Sequence, residues 1–147
     1  MPYLVGTNMA FPAEVFARFG GFSSELERRG ALSPLGMEDV ELCHRVVRGG
    51  GVLMYEPRAV VHHFVPDDRA RLWFLIRRSY ADGRSLVRYQ KITGDLDREG
   101  SRPRLLFQNL IELPIQVLRG NRVASARSIV QAARHLGYLR EAHSPTH

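Results

Sequence analysis

Glu38 and Asp39 stand side by side within Gly-Met-Glu-Asp-Val-Glu-Leu-Cys-His-Arg, residues 36–45, and His62-His63 follow in an apolar run. Apolar residues at Val40, Cys43 and Val47, widened by Leu42 and Val46, give the first segment helical spacing and put both carboxylates in its first turn. Unpaired backbone N–H groups there favour negative charge, so a carboxylate in that place can take a proton from a hydroxyl. General-base catalysis is one chemistry open to such a group. The same acids, Glu38, Asp39 and Glu41, also suit a helix start with no catalytic role, as complements to its dipole. Glu41 and Arg45 are spaced as an intrahelical ion pair, and Cys43 lies on the apolar side as a small core residue. Neighbouring strand residues point to opposite faces, so only one of His62 and His63 can face Asp39. A strand histidine is either a metal ligand or a hydrogen-bonded structural residue, and the residues alone leave that open.

The elements that must carry these groups alternate along the chain. Residues 3–5 read as the end of a strand, Gly6-Thr7-Asn8 as a turn and 12–19 as a short helix, with Pro12 at its start and Gly20-Gly21 at its end. Apolar residues are sparse over 23–36, a loop that delivers the chain to the helix at 38–48, which Gly49-Gly50-Gly51 stops. Residues 52–55 and 59–64 read as strands around a turn at Pro57. Asp67-Asp68 is placed to cap a longer helix over 69–89, weakened at Gly83 and carrying Trp73 in a core or interface position. Residues 93–104 have the composition of a linker. An apolar and arginine-rich helical hairpin follows over 105–142, kinked or broken at Pro114.

The 147 residues suffice for one domain with a modest core, and 44% apolar with 24% charged residues is a globular composition. A net charge of +6 favours anionic partners without choosing among nucleotide diphosphates, acidic membranes and nucleic acid. The single cysteine excludes an internal disulfide and a cysteine-only metal site, and fits a reducing compartment. No signal-peptide pattern and no membrane-spanning apolar stretch occurs, so a cytoplasmic protein is expected.

Gly6-x-Asn8-Met9-Ala10-Phe11, Gly20-Gly21-Phe22, Gly36-x-Glu38-Asp39 and Tyr55-x-Pro57-x-Ala59-Val60-Val61-x-His63 occur in one order. Together they resemble the second half of a bacterial family-2 glycosyltransferase, an inverting enzyme of the GT-A type, over about residues 4–90. The resemblance implies an α/β chain, the second half of a GT-A nucleotide-diphospho-sugar transferase fold, to which the helical hairpin is appended. It divides the chain into an acceptor-side part at 1–92, a linker at 93–104 and a hairpin at 105–142. It implies transfer of a sugar from a nucleotide sugar to a hydroxyl acceptor, with Asp39 as general base and Glu38 orienting the acceptor or the loop. A divalent cation, Mg2+ or Mn2+, would take His63 as a ligand, or His62 if the register slips by one. Its oxygen ligands belong to an upstream Asp-x-Asp; Asp95-Leu96-Asp97 lies in the wrong chain order and reads as a solvated turn. The donor-binding half is therefore expected outside this chain, which by itself is expected not to hold a nucleotide sugar tightly. Pro12 departs from the basic residue usual in the family.

Asn8, Arg77, Arg78 and Arg84 are the substrate-binding candidates; the stretch from Arg77 to Ser85 looks like the Arg-x-x-x-x-Gly-Arg-Ser of bacterial members, and arginine suits bidentate phosphate contact. A solvated basic face explains the same cluster. Residues 105–142 combine arginines with aliphatic residues, which fits either peripheral contact with the inner face of the plasma membrane, near a lipid-linked acceptor, or packing on the rest of the chain. Two competing readings are a non-catalytic interaction module and a small nucleic-acid-binding protein. The latter rests on the net charge and on 132–138, which loosely resembles a helix-turn-helix turn.

Overall fold

The computed structural model describes residues 3–26, 36–94 and 103–144. They form five α-helices: α1 (Ala13–Phe19), α2 (Glu38–Arg48), α3 (Leu72–Thr93), α4 (Pro103–Leu118) and α5 (Arg122–Ala142), with a short 3-10 turn at Asp67–Ala70. Pro12 precedes α1, and Gly20, at φ 77°, ends it by returning its N–H to the Phe16 carbonyl. The apolar side of α1 gathers Phe11, Phe16 and Phe22 edge to face, with ring centroids 5.8 and 6.2 Å apart.

α2 contributes Leu42, Cys43 and Val46 to the buried apolar residues. Leu42 and Cys43 are fully buried and Val46 nearly so, as the helical spacing predicts. Glu41 and His44 are buried as well, and each has a partner. Glu41 receives a bidentate contact from Arg45 at 2.6 and 2.7 Å. His44 Nδ1 and the Tyr89 hydroxyl lie 2.8 Å apart and join α2 to α3. Further links are the Gly36 N–H donating to Ser85 Oγ at 3.0 Å and Arg48 donating to the Thr93 carbonyl at 2.8 Å.

α3 packs along α5 at backbone contact distance, because both helices carry glycine where they meet. A Cβ at Gly83 would lie 2.8 Å from Tyr138 N and closer still to the Arg134 carbonyl oxygen. A Cβ at Gly137 would lie 2.8 Å from the Tyr80 carbonyl carbon and closer still to its oxygen. Gly83 therefore does not interrupt the helix, as its low propensity predicts; tertiary contact outweighs that cost. At the edge of this contact Glu141 accepts from Arg84 at 2.7 Å and from Arg88 at 2.6 Å, and Tyr138 donates to Gln90 at 3.0 Å. α4 precedes α5 in the chain and packs against it.

The expected α/β architecture, the second half of a GT-A fold with its sheet, is overturned: the described residues are all-helical and contain no strand. Residues 52–55 and 59–64 run without ladder hydrogen bonds to any described segment. Their backbone bonds are the local ones from Ala59 N to Glu56 O and from Val60 N to Arg58 O. Val52, Met54 and Phe64 are more than four-fifths exposed. Apolar, β-branched sequence marks what a pleated surface would hold, but a strand needs a neighbour to satisfy its backbone, and pairing is decided by tertiary context.

Smaller expectations change too. Asp67 and Asp68 open the 3-10 turn rather than cap α3, whose N-cap is Arg71 with no side-chain cap. Trp73 is 68% exposed, not a core residue. Pro114 lies inside an α4 that continues past it. α5 is unbroken through 132–138, so no helix-turn-helix turn occurs there. The loop expected over 23–36 is described only to Leu26 and again from Gly36, and Asp95-Leu96-Asp97 lies outside the described residues.

Candidate functional site

Asp39 owes its position to both ends of the chain segment that precedes it. Met37, at φ 82°, turns the backbone into α2 and places Asp39 in the first turn, where its Oδ1 accepts from the Val40 N–H at 2.8 Å. Its Oδ2 accepts from the Gly6 N–H, also at 2.8 Å. That bond joins residues far apart in sequence and explains Gly6, since a Cβ there would sit 3.0 Å from Asp39 Oδ2, with no room for a larger side chain's approach. The carboxylate is thus fixed at two points and still has free lone pairs for a hydroxyl.

The turn from Val5 to Asn8, closed by Asn8 N donating to Val5 O at 2.9 Å, carries the next link. Asn8 Nδ2 donates to the Ala59 carbonyl at 2.5 Å, drawing the segment around Pro57 towards the same turn. Asn8, expected to bind substrate, spends its amide on this internal bond.

Beside Asp39 opens a cleft of about 710 Å3. Val5, Gly6 and Thr7 form one wall, Phe22, Ser23 and Ser24 another, and Glu38, Asp39 and Arg78 supply charge. Glu38 Oε2 is buried and has no hydrogen-bond partner among the described residues, a costly arrangement unless a ligand supplies a donor. Arg78 reaches the cleft from α3 while its Nε pairs with Asp82 at 2.8 Å, and both side chains are about a third exposed. That pair is accessible enough to exchange partners with an anion.

The wall at 22–24 is held from α2 by Arg45. The guanidinium donates to the carbonyl of Phe19 and to that of Gly21, the latter at 2.7 Å, while Glu41 neutralises it from below. The spacing of Glu41 and Arg45 reveals their pairing but not this second role. Ser23 and Ser24 carry no motif signal at all, and only the fold brings them to the same cleft as Glu38.

Other expected site residues fall elsewhere. Arg84 is engaged by Glu141 at the α3–α5 contact, and Arg77 is exposed on α3 and does not line the cleft. His62 and His63 are both exposed and outside its lining. Among the described residues no three His, Cys, Asp or Glu side chains gather as a ligand set; the oxygen ligands of the implied divalent cation are expected outside this chain. On the far side of residues 3–5, where Leu4 points, a second, more apolar concavity of about 510 Å3 is lined by Phe11, Val15, Phe19 and Val46.

No family model matches the chain, and neither does any curated protein or solved structure.

Proposed function

We propose that the cleft beside Asp39 is the acceptor side of a glycosyl-transfer site, in which a sugar passes from a nucleotide sugar to a hydroxyl with inversion. Asp39 takes the hydroxyl proton as the oxygen attacks the anomeric carbon, and the nucleoside diphosphate leaves from the opposite face with the bonding electrons. Glu38 turns its unpartnered oxygen to a second hydroxyl of the acceptor and so fixes the angle of attack. Arg78 exchanges Asp82 for an anionic group of the bound substrates.

The observation that carries this reading is the bond from the Gly6 N–H to Asp39 Oδ2. It joins the first and third blocks of the sequence pattern in one cleft and presents a fixed carboxylate next to a buried acceptor without a donor. Neither His62 nor His63 is given a step. The all-helical structure bears on architecture and not on this local chemistry, which needs a positioned base and an acceptor pocket.

Release of nucleoside diphosphate is measured with the chain joined to a nucleotide-sugar-binding half, using a panel of nucleotide sugars and soluble glycoside acceptors. Asp39→Asn, which keeps the side-chain shape and one backbone contact, is expected to lower kcat by about 100-fold or more with KM little changed. Turnover of Asp39→Asn near that of the parent removes Asp39 as base. Transfer absent from the parent chain even when it is joined to a nucleotide-sugar-binding half, with every donor, removes the glycosyl-transfer reading.

A further inference from the structure

The second half of α4 exposes an apolar stripe that a helix packed on its neighbours is expected to bury. Ile111, Ile115 and Leu118 recur at four- and three-residue spacing and are 65, 42 and 87% exposed. Pro114 and Val117 widen the stripe, while Glu112, Leu113 and Gln116 lie on the side turned towards the protein. The stripe continues round the turn into α5, whose Val123 is 73% exposed. Gly120, at φ 67°, makes that turn, and the Asn121 side chain caps α5 by accepting from the Ala124 N–H at 3.1 Å, so Arg122 and Val123 are held outward. Arg119 and Arg122 flank the tip and are exposed.

Charge decides what covers this face. Two exposed arginines sit at its tip, and its one acid, Glu112, lies on the inward side. A second copy meeting it face to face would bring four guanidinium groups to one interface without a carboxylate from the same face to meet them. A layer of lipid phosphates offers the opposite sign to the arginines and hydrocarbon to the stripe. No described helix is long and apolar enough to cross a membrane, and an interfacial helix does not need to be.

We propose that the outer face of α4 and the α4–α5 turn dock on an anionic lipid surface, with Ile111, Ile115 and Leu118 entering the acyl boundary and Arg119 and Arg122 contacting the phosphates. From Ile111 to Leu118 the helix rises about 10 Å, so it lies along the surface and immerses one side to a depth of roughly 5–10 Å. The inference is independent of the transfer reaction: it holds or fails whatever chemistry occurs beside Asp39.

The full chain is mixed with vesicles of phosphatidylcholine, alone or with about one-third phosphatidylglycerol, and bound protein is measured by flotation. Binding is expected on the anionic vesicles, weakening with salt. Arg119→Gln with Arg122→Gln is expected to reduce it roughly thirtyfold, and Ile111→Ser with Leu118→Ser at least tenfold. All four side chains are exposed, so circular dichroism and Tm of both variants are expected to match the parent. Cys43 is buried, so Leu118→Cys offers one accessible thiol for an environment-sensitive fluorophore. Its emission is expected to shift to the blue on anionic vesicles, and that of the same label at Ala17→Cys, on α1, to stay unchanged. Absence of binding by the folded parent overturns the proposal, as does equal binding to neutral vesicles that ignores both arginines. A dimer that Leu118→Ser dissolves, in a protein that ignores vesicles, assigns the face to a second copy instead.

Discussion

Replacing Gly83 by alanine sets two physical effects against each other with opposite signs. In a solvent-exposed helix interior, Gly→Ala stabilises by about 1 kcal/mol, because alanine loses less backbone entropy on folding. At Gly83 the new methyl would meet the Arg134 carbonyl and come within 2.8 Å of Tyr138 N, both backbone atoms that cannot rotate away. A Cβ essentially never approaches a heavy atom within 3.0 Å, so α3 and α5 must part by roughly 1 Å. Overpacking of this kind costs about 3 kcal/mol, at the upper end of its usual range because the obstacle is backbone, and the parting also strains the contacts of Glu141 with Arg84 and Arg88. The net expectation is destabilisation by about 2 kcal/mol. For a chain of this size that lowers Tm by roughly 4–8 °C. Gly137→Ala presents its methyl to Tyr80 and is expected to cost a similar amount. The double variant is expected to cost less than the two together, because the helices part only once. Thermal unfolding followed by far-ultraviolet circular dichroism measures all three. A Gly83→Ala protein with a Tm equal to or above that of the parent would refute the close α3–α5 contact and leave helix propensity in charge.

Two further outcomes follow from the polar contacts. Burial pushes the Glu141 carboxyl up, but hydrogen bonds and charge from Arg84 and Arg88 outweigh it and hold the group below its ordinary 4.5. A carboxyl depressed in the folded state contributes stability that is present above 4.5 and is lost as pH falls through the lower folded value. Tm is therefore expected to fall as the pH is lowered below that point, and Glu141→Gln to lose about 1–2 kcal/mol at neutral pH while flattening the acid limb; an unchanged acid limb would separate Glu141 from it. Arg45→Lys keeps the charge but cannot reach Glu41 and the carbonyls of Phe19 and Gly21 together. It is expected to cost about 1–3 kcal/mol and to speed amide exchange at 22–24, where unchanged protection would show that Arg45 does not hold the cleft wall.

What could be read along the chain was local. The spacing of Val40, Leu42, Cys43, Val46 and Val47 marks α2 as a helix, of which Leu42, Cys43 and Val46 are buried and Val40 and Val47 half-buried, and Glu41 with Arg45 shows an intrahelical pair. Pro12 and Gly20 bracket α1. The motif blocks gave the order of Gly6 and Asp39 along the chain, and the structure adds that they are hydrogen-bonded. Long-range partners were not legible in the same way. Arg84 bonds to Glu141 and Asn8 to the Ala59 carbonyl, and Trp73 is exposed, none of which its neighbours in sequence can reveal.

Sequence alone determined the helices with strong periodicity, the acids at the head of α2 and the basic, apolar character of 105–142. These depend on interactions within a few residues, where spacing is geometry. Only the tertiary structure decided that 52–55 and 59–64 form no ladder with any described segment, that Gly83 and Gly137 each meet backbone of the opposite helix, and that Ser23 and Ser24 line one cleft with an unpartnered Glu38. Each of those is a relation between segments distant along the chain. A ladder, a backbone contact and a cleft exist only when both sides arrive.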